Sequence, residues 1–169
     1  MIISYYGDGK GKTTAALGLA TRAAGRDKKV LFAQFIKGDQ ITGEDIALKK
    51  IKLIVHKKFG LGFVGIMGDQ KPLQDHQKAA LEGLRYISNA FQKFDVIVLD
   101  EVFGAIDCQL IDENEICKLI QDMPKNIDLV LTGRPKISKL LRLSDLVTEM
   151  KKIKHPFDKG IQAKIGIDL

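Results

Sequence analysis

Residues 7–14 read Gly-Asp-Gly-Lys-Gly-Lys-Thr-Thr and follow directly on the apolar run Ile2-Ile3-Ser4-Tyr5-Tyr6. A glycine-rich turn between a β-like run and the helical pattern Thr14 to Ala20 lets backbone N–H groups converge on an anion, and the helix N-terminus adds partial positive charge. Lys12 supplies a point charge for terminal phosphates, and Thr13 supplies a hydroxyl suited to Mg²⁺. The implied chemistry is the binding of a nucleoside triphosphate. The phosphate-loop pattern G-x-x-x-x-G-K-[ST] is only partly met. Gly11-Lys12-Thr13 fit, but the first glycine of the pattern falls on Tyr6, and the glycines present are Gly7 and Gly9. That departure implies an altered path for the phosphates and not a loss of phosphate binding.

The second half of such a site is Val96-Ile97-Val98-Leu99-Asp100-Glu101, four apolar residues followed by two carboxylates. A strand of this kind beside the phosphate-loop strand places an acid near Mg²⁺ or its water shell. Lys37, after Gln34-Phe35-Ile36, and Arg134, after Leu131-Thr132-Gly133, stand at strand ends. Either can reach a triphosphate, and either can equally be a solvated surface charge. No Ser-His-Asp or Cys-His arrangement is readable, and His155 beside Pro156 is open between a structural and a functional role. The residues by themselves reach an Mg-ATP-binding domain. The second substrate stays open: a phosphate-loop ATPase or phosphotransferase acting on another substrate, or a nucleotide-dependent binding module, fits the same motifs.

These groups need strands and helices to hold them. Buried strands are expected at 2–6, Lys29 to Ile36, Phe94 to Leu99 and Ile127 to Thr132, with a short one at Lys52 to His56 and a late, more polar one at Leu146 to Lys154. Helical spacing runs from Gln70 to Phe91, from Asp112 (a candidate N-cap) to Met123, and from Pro135 to Leu143. Strands without polar alternation, separated by helices, imply an α/β fold, and the phosphate loop after the first strand makes it one of the P-loop NTPase kind. Its sheet is mostly parallel, with helices on both faces. Residues 37–48 and 59–69 are the long irregular stretches. The second carries Gly60, Gly62, Gly65 and Gly68, and reads as a surface loop or as a ligand-facing one.

A chain of 169 residues with 45% hydrophobic content fits a single domain over 1–169. No apolar run approaches the ~20 residues of a membrane span. Met1 stands almost at the first strand, so no signal peptide is expected. Cys108 and Cys117 show no CxxC spacing, which fits reduced thiols in a cytoplasmic protein. The net charge of +6 invites a nucleic-acid reading, but 22 of the 27 basic residues are scattered Lys and no RNA-binding signature appears. Anionic small ligands fit that charge, and neither nucleic acid nor membrane is expected as a partner.

Several segments, in order, resemble the ATP:corrinoid adenosyltransferases that begin with a phosphate loop. They are Gly7 through Ala16, Arg22-Ala23-Ala24-Gly25, Gln34 through Gly38, Gly43-Glu44, Val98 through Glu101, Leu131 through Arg134, and the tail Lys154-His155-Pro156-Phe157-Asp158-Lys159-Gly160-Ile161-Gln162-Ala163 with Gly166-Ile167-Asp168. The resemblance covers nearly the whole chain. It implies that Co(I) of a reduced corrinoid (cobalamin or cobinamide) attacks the 5′ carbon of ATP and that triphosphate leaves. No protein nucleophile is then needed, and no catalytic residue is assigned, because cobalt is the nucleophile. By the same resemblance Gly7, Asp8, Gly9, Lys10, Gly11, Lys12, Thr13, Thr14, Arg22 and Arg134 fall in ATP-contacting positions. Thr13 and Glu101, and less directly Asp100, match metal-binding positions for Mg²⁺. A RecA-like form of the P-loop NTPase fold, a homodimer and a flavoprotein reductant are implied as well. Two departures stand out. Met1 begins where enteric members carry an extra N-terminal lid helix. The corrinoid-side segment keeps Phe63 but has Gly65 where the family has Trp.

Overall fold

The computed structural model describes residues 1–169 except 39, 40, 67, 168 and 169, so Asp168 of the tail motif lies outside the described residues. Its six strands are β1 (Ile2–Tyr6), β2 (Val30–Gln34), β3 (Ile54–Lys58), β4 (Val96–Asp100), β5 (Asp128–Gly133) and β6 (Leu146–Glu149). They form one sheet in the order β3-β2-β4-β5-β1-β6, and all five pairings are parallel. The helices are α1 (Lys12–Ala24), α2 (Gly43–Leu48), α3 (Leu73–Ala90), α4 (Val102–Asp107), α5 (Glu113–Asp122) and α6 (Ser138–Leu143).

The continuous apolar strands are explained by burial on both faces. Alternate residues divide between two cores. Leu31, Ala33, Ile97, Leu99, Leu129 and Leu131 face α3, α5 and α6 through Leu84, Ile87, Ile116 and Leu140. Val30, Phe32, Val96, Val98 and Val130 face the other way, onto Ala16, Ala20 and Ala24 of α1 and Leu48 of α2. The alanines recur every four residues, so one smooth stripe of α1 lies close on the sheet. Helix α3 buries His76, Ala80, Gly83, Leu84, Ile87 and Ala90, the spacing that marks it in the sequence. Asp112 caps α5 by accepting from the Asn114 N–H at 2.7 Å, a contact that contributes about 1 kcal/mol.

Several expectations shift. The third strand lies at 54–58, two residues later than its pattern. Helix α6 begins at Ser138 and not at Pro135, because Arg134 and Pro135 form a bend on leaving β5. Helix α2 lies inside the stretch 37–48 that reads as irregular, and α4 follows Glu101 directly; each is only six residues long and too short to show a period. Most consequential for the site, β4 is not beside β1: β5 lies between them. Among the described residues no helix is long and apolar enough to cross a membrane.

Candidate functional site

All six strands point the same way, so the loops after β1, β2, β4, β5 and β6 gather at one edge of the sheet. The loop after β1 is held from behind by the chain leaving β6. Gly9 N–H donates to the Met150 carbonyl at 2.7 Å, Met150 N–H to Tyr6 at 2.8 Å, and Gly7 N–H to the Arg134 carbonyl at 3.2 Å. This explains the unusual loop sequence. Tyr6 is still inside β1, in register with Gly133 and Glu149, and accommodates a side chain there. The crowded positions are Gly7 and Gly9, where a Cβ would stand 2.5 Å and 2.7 Å from the Met150 carbonyl oxygen. The need for glycine has moved one and three residues along the loop.

Helix α1 starts at Lys12 with no side chain capping its first turn. Its first-turn N–H groups at residues 12–14 are therefore directed at whatever the loop encloses. Lys12 is buried, and its ammonium donates to the Gly7 carbonyl at 2.6 Å and the Gly9 carbonyl at 2.8 Å, bridging the loop. Desolvation holds its pKa below the ordinary lysine value; Glu101 opposes that shift and Arg134 reinforces it. Such an ammonium gains from an approaching phosphate more than a solvated one does.

The acids reach this loop although β5 intervenes, because α1 packs across both β4 and β5. Thr13 Oγ1 donates to Asp100 Oδ1 at 2.9 Å. Asp100 has no solvent exposure, and it also accepts from Thr132 Oγ1 at 2.8 Å and Gln34 Nε2 at 2.9 Å. Three neutral donors thus carry one buried carboxylate. Thr132 in turn accepts from the Glu101 N–H at 2.9 Å. That bond holds Glu101 at φ 59, a left-handed conformation that costs a non-glycine residue about 1 kcal/mol and turns the chain sharply into α4. Burial raises the Glu101 pKa, Asp100 raises it further, and Lys12, Arg134 and Lys37 pull against them. The Thr13 hydroxyl and the Glu101 carboxylate offer oxygen donors, which fits Mg²⁺, while Asp100 stands behind Thr13 through its hydrogen bond. Among the described residues no group of three His, Cys, Asp or Glu could hold a metal alone. The chemistry suits an ion shared with phosphates, not a closed protein cage.

Two clefts flank the loop. The larger, of 1180 Å³, runs between Asp8, Lys10 and Arg134 on one side and Met150, His155 and Phe157 on the other. The smaller, of 470 Å³, lies over Thr13, Thr14, Lys37, Glu44 and Glu101. Lys10, Lys12 and Arg134 border both. The tail is folded back onto the loop, with Lys10 Nζ donating to the Ile167 carbonyl at 2.7 Å. Lys37, left open as a surface charge, pairs with Glu44 at the mouth of the smaller cleft.

Two predicted residues are not brought to the loop. Arg22 is exposed in the last turn of α1, roughly 15 Å along the helix from Lys12 at 1.5 Å per residue, and it borders neither cleft. Phe63 is 48% exposed and lines neither cleft, although Ile66 of the same loop lines the larger. Exposure at that level shows that Phe63 is not a core residue. Its loop is tied down by Asp69, which accepts from the Gly65 N–H at 3.0 Å and pairs with His76 Nε2 at 3.1 Å.

Gln34 and Thr132 stand in segments that mark the family resemblance, but neither is singled out by type. The available signal is a polar residue ending an otherwise apolar strand on the α1 side. Glu44 and Phe157 are likewise quoted in those segments without an assigned role.

Comparison with known proteins agrees with this geometry. The chain matches the family model for ATP:corrinoid adenosyltransferase BtuR/CobO/CobP over residues 1–169. It is 34% identical over 170 residues to the corrinoid adenosyltransferase of Escherichia coli (strain K12), covering 99% of this chain and 85% of that one. It is 32% identical over 172 residues to corrinoid adenosyltransferase CobA of Salmonella typhimurium, covering 99% and 85%. The corrinoid adenosyltransferase of a Sinorhizobium species is 33% identical over 172 residues, covering 99% and 79%. A match running from the first strand through the folded-back tail spans every element that builds the two clefts, and the chain belongs to the ATP:corrinoid adenosyltransferase family.

Proposed function

We propose that this chain transfers the 5′-deoxyadenosyl group of ATP to Co(I) of a corrinoid substrate. A Co–C5′ bond forms with the cobalt electron pair, the C5′–O bond breaks, and triphosphate leaves with that bond's electrons. The observation that carries the reading is the phosphate loop of Gly7 to Thr14 opening onto a cleft of 1180 Å³. The protein's part is to position C5′ and to stabilise the leaving triphosphate. Lys12, Arg134 and the first-turn N–H groups of α1 take the phosphates. Gly7, Gly9 and Gly11 let the backbone approach them, with Asp8, Lys10 and Thr14 at the rim. Thr13 and Glu101 hold Mg²⁺, with Asp100 behind Thr13; that ion supplies charge neutralisation on the phosphates. Phe63 and Ile66 face the corrinoid. Arg22 has no place in this site within one chain.

The same reading takes residues 1–169 as one domain, a homodimer as the working unit, a cytoplasmic setting and a flavoprotein as electron donor. The family resemblance supports the homodimer and the electron donor, chain length supports the single domain and the two unclustered cysteines the cytoplasmic setting, and the covalent reaction does not depend on any of them. The test is to mix protein, Mg-ATP and chemically reduced cob(I)alamin and follow the visible spectrum. Loss of Co(I) absorbance, a light-sensitive product and stoichiometric triphosphate are expected. Release of ADP and phosphate, with cobalt unchanged, overturns the reading in favour of an ATPase or phosphotransferase.

A further inference from the structure

Four strand positions on the α1 side of the sheet make a polar layer at the end of an apolar core. In β2 the row Val30, Phe32 ends in Gln34; in β4 Val96, Val98 ends in Asp100; in β5 Val130 is followed by Thr132; in β3 Ile54 is followed by His56. Gln34 and Asp100 are direct cross-strand partners, and Gln34 has no solvent exposure. Its Nε2 donates to Asp100 Oδ2 at 2.9 Å, while its Oε1 lies 2.8 Å from His56 Nε2.

The direction of this chain follows from what each group can do. Asp100 as a carboxylate only accepts, so the NH₂ of Gln34 must face it. The Gln34 oxygen then faces His56, so His56 Nε2 must carry a hydrogen. This holds whether or not the ring is charged. On its other side Nδ1 stands 3.4 Å from Asp45 Oδ1, a contact that attracts only when that nitrogen also carries a hydrogen, and Asp45 Oδ2 accepts from Lys58 at 2.6 Å. Phe32 packs edge-on against it, with ring centroids 5.9 Å apart. With Oδ2 of Asp100 committed to Gln34, Oδ1 remains for Thr13 and Thr132.

We propose that Gln34 is a positioning residue for the metal and phosphate site and that His56 fixes its orientation. Gln34 touches neither metal nor phosphate. It acts by holding Asp100 in the rotamer that keeps the Thr13 hydroxyl hydrogen engaged, leaving the Thr13 lone pairs for the cation. A row of side chains running across β3, β2 and β4 thus sets the ligand geometry at the start of α1. The inference rests on the assignment of Thr13 and Asp100 to the metal. It does not depend on cobalt being the acceptor.

The test is calorimetric titration of ATP into the parent chain, Gln34→Met and His56→Phe, each in Mg²⁺ and in EDTA. Gln34→Met keeps the length of the side chain and removes both hydrogen bonds. We expect its affinity in EDTA to stay within about twofold of the parent and its affinity in Mg²⁺ to fall about tenfold, the order set by a hydrogen bond to a charged group. His56→Phe should lose about threefold in Mg²⁺ only, and His56→Gln, which can still donate, should recover it. Should Gln34→Met fail to fold, His56→Phe carries the test, since it leaves β2 unchanged. Nitrogen NMR of the parent should show His56 protonated at Nε2. Equal losses in Mg²⁺ and EDTA, no loss in either, or a His56 ring with hydrogen only at Nδ1 overturns the inference. A parent whose ATP affinity ignores Mg²⁺ overturns the metal assignment together with it.

Discussion

The loop after β1, proposed to take the phosphates, and the loop around Phe63, proposed to face the corrinoid, are built in opposite ways. Around Lys12, Thr13 and Asp100 the polar groups are buried and already joined to partners. Around Phe63 the chain is a glycine-rich loop that leaves large apolar side chains in solvent: Phe63 is 48% exposed and Ile66 58%. Asp69 ties the far end of that loop, and Gly62 N–H, donating to the Ile36 carbonyl at 3.1 Å, ties its start. The proposed roles account for the difference. Triphosphate charge is stabilised by fixed dipoles and cations that need no rearrangement when charge develops. A large flat apolar ring is held by surface that becomes buried only when the ring arrives.

The largest effect should come from Lys12→Ala, which removes both the phosphate charge and the bridge to Gly7 and Gly9. Charge-assisted contacts contribute roughly 1.5–3 kcal/mol each, so ATP affinity or turnover should fall by roughly tenfold or more. Calorimetry showing unchanged ATP affinity, with turnover also unchanged, removes Lys12 from the site and dissolves the contrast.

Thr13→Ala and Glu101→Ala should raise the Mg²⁺ concentration needed for half activity, by roughly fivefold to tenfold. Adenine contacts should be untouched, so ATP affinity measured without metal should be near the parent's. Parent-like Mg²⁺ dependence in both variants defeats the assignment.

Phe63→Ala tests the open side. ATP affinity and transfer to prereduced Co(I) should survive, while assays starting from Co(II) with a biological reductant should lose about fivefold, the order set by an aromatic contact of roughly 0.5–1.5 kcal/mol. An apolar side chain under the ring displaces the lower axial ligand and makes Co(II) easier to reduce. Gly65→Trp should improve the Co(II) assay, because a Cβ there meets nothing within 4 Å. The gain is limited by the left-handed φ of 67, which costs a side-chain-bearing residue about 1 kcal/mol. Equal losses for Phe63→Ala in both assays, or lost ATP affinity, place the corrinoid surface elsewhere.

The smallest effect concerns Asp45, which completes the capping box of α2 and pairs with Lys58. Burial pushes its pKa up, but hydrogen bonds from Lys58 and Thr42 outweigh that and leave it below the ordinary value. A depressed folded-state pKa gives stability that is present above the unfolded value of about 3.9 and is lost as pH falls through the folded one. Asp45→Ala should therefore cost about 1 kcal/mol at pH 7, and its melting deficit should shrink below about pH 4. A deficit independent of pH sinks the charge component.

Much of the chemistry was written in local order along the chain. Gly7 to Thr13 and the run Val96 to Glu101 carry their roles in residue type and spacing, because a strand, a tight turn and a helix start are set by neighbours. The two-sided sheet was legible for the same reason: strands buried on both faces lose polar alternation. Short elements such as α2 and α4 were not legible, since six residues give too few turns for a period. Strand order was also beyond the sequence. That β5 stands between β1 and β4, that Met150 leaves no room for a Cβ at Gly7 and Gly9, and that Gln34 links His56 to Asp100 all join residues far apart in the chain. Such contacts depend on parallel pairing and on which face each strand turns to α1, and those are settled only when the whole sheet assembles.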